Sequence, residues 1–221
     1  MNVFSPAVGL MNRLKYLQKF ALITLLFACP LALVIYLFFS EVNAKIAFAE
    51  RESQGIAYLR PLRQLLQHAL EQRIIAHDSY AMQLDAMVVD RFTAQVESDL
   101  QLLAPVAGRL GAEFRTAQRY EALLASWAAI RQPDPGRTQA ASDQLHTQFI
   151  ADIRALIALV GDNSNLILDP DLDSYYLMDT ILLKLPAGQD LLSQAMFKGE
   201  GLLDRRAVTT DERIEMIVLG G

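Results

Sequence analysis

Between Phe20 and Phe39 the chain reads FALITLLFACPLALVIYLFF, a stretch without a single charged side chain. Its length matches the roughly 20 apolar residues that a helix needs to cross a bilayer core. A segment in hydrocarbon must satisfy its own backbone hydrogen bonds, so a lone segment of this kind is a helix. Pro30 falls at mid-span and is expected to kink the helix without ending it, since bilayer helices re-satisfy the freed backbone groups locally.

The flanks orient the span. Arg13, Lys15 and Lys19 precede it with no acid among them, and every Asp and Glu lies from Glu41 onward. Cationic residues stay on the cytoplasmic side, so across an inner (cytoplasmic) membrane the N-terminus is expected in the cytoplasm and the rest outside it. The organisation read from this is a cytoplasmic segment at 1–19, a transmembrane helix at 20–40 and an extracytoplasmic helical domain at 41–221. The competing reading is a signal peptide cleaved near Val42-Asn43-Ala44 or Ala47-Phe48-Ala49. It calls for an apolar region of only about 7–15 residues, so an uncleaved anchor is expected. Cys29, the single cysteine, lies inside the apolar run, where it forms no intrachain disulfide and reads as a membrane-embedded thiol.

The chain's net charge is −5, and with three cations and no acid before the span, all of its acidic side chains lie beyond it. An acidic domain lacks the basic surface that nucleic acid requires, so no nucleic-acid partner is expected. The remaining length suits one packed domain. Its apolar residues recur three and four apart, the helical period. One stripe is Ile56, Leu59, Leu62, Leu66 and Leu70, interrupted by Pro61, within a segment at about 41–75. A second, at about 79–103, carries Leu84, Val88, Phe92, Val96 and Leu100 and stops at Pro105. A third, at about 111–131, uses Phe114, Ala117, Tyr120, Leu124, Trp127 and Ile130, and ends at the loop Gln132-Pro133-Asp134-Pro135-Gly136. A fourth, at about 142–167, places Leu145, Phe149, Leu156 and Val160 on one stripe. Shorter helices are expected at 171–184 and 188–203, split at Leu185-Pro186, with another announced by the capping-box spacing of Thr209 and Glu212 before Ile214, Ile217 and Val218. The fold class is therefore all-α: an N-terminal transmembrane helix followed by an antiparallel helical bundle of four long helices and shorter C-terminal ones.

Few constellations carry chemistry. The acids of Asp169-Pro170-Asp171-Leu172-Asp173 invite a calcium-loop reading, but Ser174 stands where the sharp turn needs Gly, and Thr180 where a bidentate Glu is needed. Asp169 as helix cap and Pro170 as first helical residue account for the same letters. His68, His77 and His146 have no metal-ligand spacing, and no phosphate loop or nucleophile elbow occurs. No catalytic residue, metal or cofactor is expected. The arginine-rich face of the first bundle segment, Arg51, Arg60, Arg63 and Arg73 with Tyr58 and His68 nearby, has planar forks that suit carboxylate, nitrate or phosphate. The candidate ligand-binding residues are Tyr58, Arg60 and Arg63 from it, and the pair Tyr175 and Tyr176.

Arg13-Leu14-Lys15-Tyr16, Tyr58-Leu59-Arg60-Pro61-Leu62 and Asn165-Leu166-Ile167-Leu168-Asp169-Pro170-Asp171-Leu172-Asp173-Ser174-Tyr175-Tyr176-Leu177-Met178-Asp179 together resemble the N-terminal input region of bacterial transmembrane receptors. Methyl-accepting chemotaxis proteins and sensor or hybrid histidine kinases share such a region. The resemblance implies a signal-transducing sensor domain for a small-molecule ligand or a binding protein, working as a homodimer through its helical bundle. Such receptors continue through a second span, a linker and an output domain, so the resemblance implies an input region truncated at its C-terminal side.

Overall fold

The computed structural model describes residues 9, 14–82, 84–167, 172–205, 209–210, 213–214 and 217. Among them the protein is all-α, with no strand. Helix α1 spans Tyr16–Met82, α2 Ala86–Leu110, α3 Ala117–Arg131, α4 Gln139–Asn163, α5 Leu172–Asp179 and α6 Leu185–Arg205, with a π-helical turn at Thr180–Lys184 between α5 and α6. The chain divides into two compact units, Met1–Glu50 and Arg51–Gly221.

In the first unit α1 carries the apolar run, and its side chains lie outside any core: Leu25, Leu26, Phe27, Leu31, Val34 and Phe38 are all exposed. This helix is long and apolar enough to cross a membrane. It continues through Pro30. Glu41 and Lys45, one turn apart, pair at 3.6 Å just past the apolar stretch.

The second unit is a helical bundle around one core. From α1 come Leu62, Leu65, Leu66 and Ala69; from α4, Phe149, Ile150, Ile153, Leu156, Ile157 and Val160. Between them, Val96 and Leu103 of α2 and Leu123 and Trp127 of α3 complete it. The Trp127 and Phe149 rings sit 5.2 Å apart and tilted by 38°, within the centroid range of aromatic pairs. Buried residues on α4 recur at 146, 149, 150, 153, 156, 157 and 160, the helical period that the sequence pattern announced.

Boundaries follow local chemistry. Asp85 caps α2 by accepting from the Met87 N–H at 3.0 Å, and Thr138 caps α4 by accepting from the Ala141 N–H at 3.2 Å. The loop expected after Arg131 is present. There Asp134 Oδ1 accepts from the Gly136 N–H at 3.0 Å, while the Arg137 guanidinium donates to the carbonyls of Ala129, Ile130 and Gln132. A cation on the last carbonyls of α3 also complements the helix dipole.

Three expected helix breaks do not occur. α1 runs through Pro61, α2 runs through Pro105 to Leu110, and α6 begins at Leu185 with Pro186 inside it. A proline removes one N–H bond and strains one carbonyl of the preceding turn. For Pro61 and Pro105 those carbonyls belong to Ala57 and Gln101, both on exposed positions and not in the core. At Pro186 the chain uses a wider turn instead: the Leu185 N–H donates to the Thr180 carbonyl, five residues back.

Other limits shift. The third helix starts at Ala117, because residues 111–115 form a turn closed by Arg115 at φ 53°. α4 ends at Asn163, short of Ile167, with Asn165 at φ 68°. Ile56 and Leu124, expected on core stripes, are exposed. Asp169, Pro170 and Asp171 lie outside the described residues, as do Glu212 and Val218 of the last expected helix.

Candidate functional site

Arg60, Arg63, Gln64 and Gln67 share one face of α1, since residues three and four apart lie above one another on a helix. That face forms one wall of an open groove of ≈580 Å³ in the second unit. The facing wall is Ile181 of the π turn with Leu185, Pro186 and Gln189 of α6, and Leu66 and His68 complete the lining. A volume of this order suits a small organic ligand. One wall is cationic and amide-bearing, and the other is apolar apart from one amide.

The two arginines are exposed, and among the described residues neither has a carboxylate within 4 Å; the ion pairs of this unit use other side chains. Gln67 donates to Glu71 at 3.1 Å, one turn further along the same face. His68 is fixed from below: its Nδ1 lies 2.5 Å from Oδ2 of Asp99, a carboxylate of α2 that is almost wholly buried. A carboxylate accepts, so Nδ1 carries the proton of that bond and Nε2 is the ring nitrogen left for other contacts.

A second polar cluster lies deeper. Arg73, fully buried on α1, donates to Asp190 of α6 twice, from Nη1 to the carboxylate at 2.8 Å and from Nη2 to the backbone carbonyl at 3.1 Å. Arg154 of α4 reaches the other carboxylate oxygen at 2.7 Å, and Gln194 donates to the first at 3.1 Å. Burial lowers the Arg73 pKa from its usual value, and the Asp190 hydrogen bond opposes that shift. Paired in this way the cluster ties three helices together, a structural role.

The structure brings Arg60 and Arg63 together on the groove. Tyr58 goes elsewhere: it is fully buried, stacked on Phe114 at 6.4 Å, with its hydroxyl 3.2 Å from Thr116 Oγ1. Burial raises its pKa above the usual phenol value, against the Thr116 hydrogen bond. Tyr175 and Tyr176 are exposed on α5, edge to face at 5.6 Å, and do not line the groove. Sequence reasoning missed Ile181, Leu185, Pro186 and Gln189. Their only signal was Pro186 within an otherwise helical run, which reads as a break until a π turn is considered. Among the described residues no group of three or more His, Cys, Asp or Glu side chains is placed to hold a metal.

In comparisons with known proteins, no family model, no curated protein and no solved structure matches the chain.

Proposed function

We propose that the chain is the membrane-tethered input region of a bacterial transmembrane signalling receptor, of the chemotaxis type, with its N-terminus in the cytoplasm and its bundle outside. One observation carries the reading: a single helix, α1, supplies both an uncharged, exposed apolar run and core residues of a folded bundle. The cations Lys15 and Lys19 stand on the N-terminal side of that run and the first acid, Glu41, on the other, which orients it. The resemblance of the Tyr58–Leu62 and Asn165–Asp179 stretches to receptor input regions supplies the signalling class. A receptor of this kind works when ligand binds two packings of its bundle with different affinity.

A second reading is a tethered binding module that associates with another receptor or with itself and carries no output. It is favoured by Leu185, Leu192 and Met196, which lie along one stripe of α6 and are all exposed.

Alkaline phosphatase, active only outside the cytoplasm, tests the placement when fused after Gly221. Activity is expected there, and a fusion inactive at that point while a fluorescent cytoplasmic reporter glows would reject the orientation. Reading the coding DNA beyond Gly221 separates the two functions: a second apolar span followed by a methylated coiled coil supports chemotaxis, an ATP-binding core supports a kinase, and neither leaves the tethered module.

A further inference from the structure

We infer that the groove between α1 and the α5–α6 junction is a binding site for a small organic carboxylate with an apolar body. The inference deepens the sensory reading and rests on it for the ligand's role as a signal. Binding itself follows from the lining.

The two walls differ in kind. Arg60 and Arg63 bring two exposed guanidinium groups to one side of an otherwise acidic chain, with no carboxylate of the described residues within ion-pair reach. A planar fork takes a carboxylate through two parallel N–H···O bonds, a geometry that an ammonium lacks. Opposite them Ile181, Leu185 and Pro186 offer apolar surface and no charge. Leu185 is half exposed, so covering it with an apolar body adds hydrophobic stabilisation that a bare inorganic anion does not gain. Gln64, Gln67 and Gln189 supply amides that donate or accept, which suits a further neutral polar substituent. His68, held in place by buried Asp99, closes the edge of the site with a fixed ring. The π turn contributes Ile181 and leads directly into Leu185 and Pro186, so the apolar wall is built where the irregular segment joins α6. Such turns recur at functional sites.

Isothermal titration calorimetry on the full chain in lipid nanodiscs tests this, with benzoate, benzamide, acetate and inorganic phosphate as probes. Benzoate is expected to bind, and benzamide, which keeps the ring and loses the charge, at least about 10-fold more weakly, since a charge-assisted hydrogen bond contributes about 1.5–3 kcal/mol. Acetate and phosphate are expected to bind more weakly than benzoate. Arg60→Gln and Arg63→Gln are each expected to weaken benzoate about 10-fold, with thermal stability unchanged because both side chains are exposed. Arg91→Gln, an exposed change outside the groove, leaves binding as it was. Leu185→Gln is expected to weaken benzoate and spare acetate. No benzoate binding at millimolar concentration, or binding indifferent to both arginine substitutions, overturns the site. Phosphate binding as tightly as benzoate overturns the apolar-body assignment. A phosphatase fusion that reports the bundle outside while benzoate fails to bind rejects this inference and leaves the sensory reading standing.

Discussion

Arg73 and Asp190, 117 positions apart in sequence, meet at 2.8 Å with both side chains buried. The bond joins α1 to α6, and Arg154 extends it to α4 through the second carboxylate oxygen. A buried ion pair is costly to break because its surviving partner stays desolvated. Asp190→Ala is therefore expected to destabilise the bundle by about 3–5 kcal/mol. Arg154 is about a third exposed, and its loss is expected to cost no more than about 1 kcal/mol, since solvent screens such pairs. Urea unfolding of the full chain in micelles, followed by far-ultraviolet circular dichroism, measures both. Equal losses for the two variants would mean that the cluster does not act through buried Arg73.

His146 gives the bundle a dependence on pH. Its Nδ1 donates to the Ser142 carbonyl at 2.8 Å, and Nε2 meets no partner among the described residues. Burial pushes its pKa below the ordinary histidine value, with the Ser142 bond acting in the opposite sense. The unfolded chain takes up this proton below about pH 6.5 and the native chain does not. Stability contributed by neutral His146 is thus present above that pH and lost as pH falls toward the lowered native value. Replacing it with Met is expected to flatten the fall of the melting temperature between pH 7 and pH 5. An unchanged slope would assign that fall to other groups.

The apolar run yields a prediction of a different kind. Leu31 stands near the middle of the uncharged segment and is exposed in the structure. An arginine at the centre of a spanning helix costs about 2.5–3.5 kcal/mol of insertion. Leu31→Arg is expected to release a large share of the chain from membranes into alkaline extracts, while Asn43→Arg, beyond the run, leaves it membrane-bound. Full retention of the Leu31→Arg chain would argue against a span at 20–40.

Much of this architecture was legible because core positions repeat at the helical period. Leu62, Leu66 and Leu70 read as one stripe and are buried, as are Val96, Leu100, Phe149, Leu156 and Val160. The stripe on α1 is nevertheless wider than expected, since Leu65, Ala69, Gln72 and Arg73 are buried too. Polar letters hid the last two, and the partner that buries with Arg73, Asp190, lies far along the chain. Prolines misled in the same way. Their cost is set by whether the carbonyl one turn back faces water, which a linear pattern does not reveal. The groove was half legible. Arg60 and Arg63 stand out by charge, but the apolar wall comes from the α5–α6 junction, whose place opposite α1 is a property of the tertiary fold.

Two glycines separate close packing from mere backbone freedom. At Gly55 a Cβ would lie 2.3 Å from both Cβ and Oγ of Ser164. Ser164 follows α4, and beside it Arg51 Nε donates to the Asn163 carbonyl at 2.8 Å, so α1 and the end of α4 are held at this distance. Ser164 is itself fully buried and has nowhere to move. Gly55→Ala is expected to destabilise by about 1–3 kcal/mol, the cost of overpacking. At Gly188, inside α6, a Cβ meets nothing within 4 Å. There alanine only restricts the unfolded chain and improves helix propensity, so Gly188→Ala is expected to stabilise by about 0.5–1 kcal/mol. Thermal melts of the two variants beside the parent should move in opposite directions. A gain in stability from Gly55→Ala would show that α1 and the α4 terminus do not approach as closely as the structure places them.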